Sequence, residues 1–248
     1  MSNESQSGDL HGTRFINADL SKASFIGCDL SGVIMRGVDI AGADIDAPWL
    51  IESGDSVLLV NGIDVAPYVD RQLDERFPGR STRRATDPEG LQIAWGALER
   101  TWAETVARVQ TMPQGVVDVS VRGEWSFAQT LRHLIMATDT WLGKAILGNP
   151  QPYHRVGQPN AEFAADGGDM SVFAGVPPSF TEVLAVRADR VAMVRDFIAT
   201  TTTELLAEQR PNPHNPSYGE TVLSCLRTIL EEEWEHHRYA VRDLALIP

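Results

Sequence analysis

Near the C-terminal end of the sequence stands a run of groups that can bind a metal ion or move a proton: Glu231-Glu232-Glu233-Trp234-Glu235-His236-His237-Arg238. An apolar stripe leads into it through Leu223, Leu226 and Leu230. Continued at alternating spacings of three and four, the stripe reaches Glu233, His237, Val241 and Leu244. That spacing puts Glu233 and His237 on the inward face of a helix, one above the other at i and i+4. Glu231, Glu232 and Glu235 fall off this line and are expected in solvent, and His236 falls off it by one position. A carboxylate and an imidazole inside a bundle must be satisfied. They can satisfy each other in a Glu–His hydrogen bond, or act as two metal ligands presented by one helix. The helix alone supports the two readings equally.

A metal would need a third ligand from another element. Of the remaining histidines, His11 lies in a repeat, His154 and His214 lie in loops, and His133 lies on a helix. Helix rise offers a test. If the two helices are antiparallel, His133 is roughly 10 Å from the start of its helix and His237 roughly 13 Å from the end of its own, so their levels match. Against this, His133 lies at the margin of the apolar arc of Phe127, Leu131, Leu134 and Trp141. That is the usual place of a polar flank residue.

The elements that must position these groups are well punctuated. Thr86-Asp87-Pro88-Glu89 offers a capping box, or Asp87 as N-cap with proline at the first helical position. Ser126-Phe127-Ala128-Gln129, Ser179-Phe180-Thr181-Glu182 and Ser217-Tyr218-Gly219-Glu220 each fit S-x-x-E/Q ahead of an apolar stripe. The first helix carries Leu91, Trp95, Leu98, Trp102, Val106 and Val109, and the third carries Leu184, Val191, Val194, Ile198 and Leu205. Between the second and third lies a long stretch, roughly 148–178, rich in Gly and Pro. Such a loop inside a compact domain is functional or mobile. Four helices with one long crossing connection make a bundle.

Ahead of the bundle the periodicity changes. From Leu10 every fifth residue is large and apolar: Leu10, Phe15, Leu20, Phe25, Leu30, Met35, Ile40 and Ile45. Aspartate precedes several of them, at Asp19, Asp29, Asp39 and Asp44. A period of five is neither helix nor strand. It resembles the pentapeptide-repeat family. The resemblance implies a right-handed, four-sided β-helix of two coils, with the apolar rows and Cys28 inside, capped by something downstream. Such a stub reads as a docking or dimerisation element. Between repeat and bundle, Ser56-Val57-Leu58-Leu59-Val60 and Ile63-Asp64-Val65 flank Asn61-Gly62, a strong hairpin signal. Tyr68 to Phe77 then reads as a short helix. The basic run Arg80-Ser81-Thr82-Arg83-Arg84 reads as a solvated linker.

Composition sets the outer limits. The chain has 248 residues and a formal net charge of −13. Such a surface repels phosphates, so no nucleic-acid or anionic-membrane partner is expected. The two cysteines, Cys28 and Cys225, form no redox or metal motif. The first residues lack the apolar core of a secretory signal, and a reducing, cytoplasmic setting is expected. No phosphate loop and no Ser-His-Asp arrangement is present.

The stretch Glu124-Trp125-Ser126-Phe127-Ala128-Gln129-Thr130-Leu131-Arg132-His133-Leu134, followed by Glu233-x-x-x-His237-Arg238, resembles the DinB superfamily. The resemblance covers about residues 87–246. It implies an α+β multidomain chain: a short right-handed quadrilateral β-helix over 1–47, a connector with hairpin and short helix over 48–86, and a DinB-like four-helix bundle over 87–248. It further implies a divalent metal held by one residue of the second helix and an H-x-x-x-H pair on the fourth. Here Glu233 replaces the first histidine of that pair, as in the mycothiol-dependent maleylpyruvate isomerase branch, which is similar in using two histidines and a glutamate. The implied ligands are His133, Glu233 and His237, and the implied metal is zinc, with nickel second. A tetrahedral site with three protein ligands keeps one position open. A low-molecular-weight, mycothiol-like thiol bound there is deprotonated and can attack a small electrophile. Arg238 is the expected catalytic arginine, holding a carboxylate of thiol or substrate; its other reading is a surface ion pair with Glu231 or Glu235. Trp125, Tyr153 and His154 are expected at the entrance. The rival readings are a metal-assisted hydrolase using water and a non-catalytic interaction module. An open-ended solenoid and a bundle both invite a homodimer.

Overall fold

The computed structural model describes residues 8–51, 57–160, 163–165 and 167–247; Ser56, at the head of the predicted hairpin, lies outside them. The chain divides into two compact units, one ending at Asp46 and one beginning at Ala47.

In the first unit the chain turns a corner every five residues. The corners are left-handed residues at Gly12, Asn17, Lys22, Gly27, Gly32, Gly37 and Gly42. At alternate corners the turn is closed by a backbone bond, from the Thr13, Ala23, Val33 and Ala43 amides to Leu10, Leu20, Leu30 and Ile40. Aspartate has a clear local role there. Asp9, Asp19, Asp29 and Asp39 each accept the amide two residues on, the side-chain mimic of a turn. The apolar rows are not enclosed as expected. Leu10 through Ile45 remain 47–60% exposed, and Cys28 is exposed too. Among the described residues no strand ladder closes this unit into a β-helix. Eight repeats give too few layers to cover both faces of each.

After a 3-10 turn at Pro48–Leu50, the second unit forms the hairpin β1 (Leu59–Val60) and β2 (Ile63–Asp64), joined by Asn61 and Gly62, both at positive φ. Such a turn matches the twist of the strands. Helix α1 (Ala66–Arg76) follows. The basic run after it is no solvated linker. It forms a 3-10 turn, Arg80–Arg84, in which Arg80 and Arg83 are buried. Both pair with Asp70 and Asp74 of α1. Paired guanidiniums can be buried where lone ones cannot.

The bundle consists of α2 (Pro88–Gln110), α3 (Phe127–Thr138, continued as a π-helix over Asp139–Ile146), α4 (Phe180–Ala199) and, after a short helix α5 (Thr203–Ala207), the long α6 (Val222–Leu244). Asp87, Ser126 and Ser179 cap α2, α3 and α4 as the sequence signals require, Ser126 in a full capping box with Gln129. The fourth signal is misplaced. Ser217 to Glu220 leads into a small hairpin, β3 (Gln209–Pro211) with β4 (Gly219–Thr221), and Thr221 caps α6 instead. The third helix also ends earlier than its stripe implied, since Thr202 starts α5 before Leu205.

Helices α2 and α3 each pack against both α4 and α6. Buried rows repeat at helical spacing: Phe127, Leu131, Leu134 and Ile135 on α3, and Val222, Leu226, Ile229 and Leu230 on α6. Cross-ties fix the register. Trp95 donates from its indole to Val191 O at 3.2 Å. Asp139, at the start of the π-turns, accepts from Arg190 of α4 at 2.6 Å and from the His154 amide of the crossing loop at 2.8 Å. Among the described residues no helix is long and apolar enough to cross a membrane.

Candidate metal centre

The stripe of α6 does run inward through Glu233 and His237, which are 1% and 5% exposed. What they meet there is the core. Both oxygens of Glu233 accept from Arg187 Nη2 of α4. His237 Nε2 lies 2.8 Å from Thr105 Oγ1 of α2, and its ring is edge-on to Trp102, Phe77 and Trp234. Burial pushes His237 down to about 4, so it is neutral at pH 7. The two side chains thus have separate partners on separate helices.

The groups that converge lie one position earlier on α6. His133, Glu232 and His236 each offer a ligand atom within 4.8 Å of the others. The geometry explains the shift. His133 is at the edge of its helix's buried arc, and an edge residue meets the edge of the facing helix, where Glu232 and His236 stand. Glu232 and His236 retain the i, i+4 spacing that presents two ligands from one face.

Each imidazole is oriented through its second nitrogen. His133 Nδ1 is 3.2 Å from Gln158 O, in the long crossing loop. His236 Nδ1 is 2.9 Å from Glu232 O, one turn back on its own helix. Carbonyls only accept, so His133 Nδ1 carries the proton toward Gln158 O, whereas His236 Nδ1 faces both Glu232 O and, at 3.3 Å, Glu232 Oε2. His133 Nε2 faces Glu232 Oε2 at 3.5 Å. Burial pushes His236 down to about 4, and His133 nearby adds to this. Burial also opposes ionisation of Glu232, but the two histidines outweigh it and hold its carboxyl below the ordinary range. Two imidazoles beside a carboxylate are a donor set a divalent cation takes.

Trp125 packs against this group. Its ring is 4.6 Å from that of His133 and stacks on His236 at 6.1 Å. Beside them opens a cleft of about 260 Å³, lined by Trp125, Thr130, His236, Tyr239 and Arg242. Other expected residues stand elsewhere. Arg238 pairs with Glu235 through Nε and Nη2, at 2.9 and 2.8 Å, and lies over the Tyr239 ring. Tyr153 packs with Phe163 and Phe173 within the loop. His154 accepts the Val156 amide on Nδ1 and shapes the same loop.

The DinB superfamily model matches residues 97–240, and pentapeptide repeats match in eight copies over residues 9–45. Comparison with curated proteins and with solved structures found no match. The superfamily match spans more than half of the 248 residues and contains all three converging side chains. The chain belongs to the DinB superfamily, with a pentapeptide-repeat segment ahead of its bundle.

Proposed function

We propose that this chain is a metal-dependent transferase that uses a low-molecular-weight thiol, with His133, Glu232 and His236 as the metal ligands. The observation that carries the reading is the convergence of His133, Glu232 and His236, with His133 Nε2 at 3.5 Å and His236 Nδ1 at 3.3 Å from Glu232 Oε2. A divalent cation bound there supplies Lewis acidity that ionises a coordinated thiol near neutral pH. The chain's own residues do the rest. Three side-chain donors leave room for an exogenous fourth. Trp125 shields the ligand rings on one side, and the cleft along Thr130, Tyr239 and Arg242 is where an electrophile would lie. Support for a thiol over water comes from the resemblance to the mycothiol-dependent branch, which the sequence carries at Glu233-x-x-x-His237, one position along α6 from the converging pair. For the first unit, the regular five-residue corners and the exposed apolar rows support a docking element.

Elemental analysis tests the centre. About one zinc or nickel per chain is expected in wild type and in Glu233→Ala, and none in Glu232→Ala or His236→Ala. Turnover of a small electrophile should require added thiol. Turnover with water alone would replace the transferase by a hydrolase.

A further inference from the structure

Next to His133 on α3 is a second polar residue with an unusual setting. Arg132 is 8% exposed, yet among the described residues its guanidinium donates to no carboxylate. Nε donates to Val156 O at 2.9 Å and Nη2 to Gly157 O at 3.3 Å. A charge taken out of water without a counter-charge is costly. Here it meets two carbonyls of the crossing loop, which would themselves be costly to leave unbonded. The contact is reciprocal, because the Gln158 amide donates to Arg132 O at 3.0 Å. The next polar atom along the loop is Gln158 O, the group that receives His133 Nδ1–H. Three successive loop residues are therefore held against α3 by one arginine, and the third orients the histidine.

We propose that Arg132 is a positioning residue: it clips residues 156–158 to α3 so that the Gln158 carbonyl holds His133 with its Nε2 lone pair toward Glu232 and His236. The inference rests on the reading of those three side chains as metal ligands. It assigns the long connection a task, that of supplying a backbone acceptor behind a ligand. It also separates the Gln158 side chain, which has no part in the task, from its carbonyl, which does.

The test uses the full chain and two readouts that do not depend on turnover. The first is the His133 tautomer, read by nitrogen-15 NMR on metal-free protein. The second is affinity for cobalt(II) or zinc(II), measured by chelator competition. Wild type is expected to hold His133 with the proton on Nδ1. Arg132→Ala should lose that fixed tautomer and bind the ion about 10–100-fold more weakly, the usual effect of removing support behind a ligand. Arg132→Lys, a single-point donor in place of a fork, should recover only part. Gln158→Ala should match wild type in both readouts. The proposal falls if Arg132→Ala keeps both tautomer and affinity, or if Gln158→Ala loses as much as Arg132→Ala. Should Arg132→Ala fail to fold, the wild-type tautomer still decides: a proton on Nε2 overturns the proposal. Wild type that binds neither ion but keeps the Nδ1 proton would sink the metal reading and leave the clip itself standing.

Discussion

Glu232 and Glu233 are neighbours of identical chemistry, and a rotation of about 100° along the helix gives them opposite roles. Glu233 is a counter-ion in the core. Glu233→Ala leaves Arg187 buried without its partner, which should cost about 3–5 kcal/mol in denaturant unfolding. Bound metal should be retained in whatever fraction folds. Glu232→Ala should do the reverse, removing metal while the metal-free protein unfolds close to wild type. The thiols show the same contrast. Cys225 is fully buried, and burial, with Glu220 adding, pushes it up to about 11. Cys28 is exposed. A thiol reagent at pH 8 should therefore label Cys28 rapidly and Cys225 only on unfolding. Rapid labelling of both in native protein would contradict the buried position of Cys225 in α6.

At the scale of elements, Asp70 is the pin of the connector. Burial alone would raise its pKa, but hydrogen bonds from Arg80, Arg84 and Arg83 outweigh burial and hold it at about 2. Its ordinary value in an unfolded chain is about 3.9. The sign follows from that depression. The stabilisation is complete above the unfolded value and is lost as pH falls toward 2, and, discounted for the solvent that still screens Asp70, it amounts to about 1 kcal/mol at neutral pH. Asp70→Asn should be less stable than wild type by about that much at pH 7, and the difference should shrink at pH 3 and below. Denaturant titrations at the two pH values check it. This pin also marks where sequence reading stopped. Caps and stripes gave α2, α3 and α4 their starts, and the α6 stripe located Glu233 and His237 in the core, because those signals are local. Ion pairs such as Asp70 with Arg83, or Arg187 with Glu233, join positions far apart in sequence and leave no periodic trace. The metal centre falls between the two cases. The marginal place of His133 is visible but reads as that of a polar flank residue, and only the packing of α3 on α6 brings Glu232 and His236 beside it.

At the scale of the whole molecule, the hydrophobic core lies entirely within the second unit, from Phe77 to Leu244. Removal of residues 1–46 should thus leave the melting temperature of the bundle within about 2 °C and its metal stoichiometry unchanged. A larger drop in a thermal scan would mean that the two units share stability. The repeat unit obeys a different constraint from the bundle. Its left-handed corners fall at every fifth residue from Gly12 to Gly42, four of the later ones on glycine. Deleting one residue ahead of Gly27 would bring Cys28, Val33, Val38 and Ala43 onto those corners, where a side chain costs roughly 1–2 kcal/mol each. Deleting five would restore every corner. The segment is therefore free to lengthen or shorten over evolutionary time, but only in whole steps of five, like a text that tolerates lost words and not lost letters.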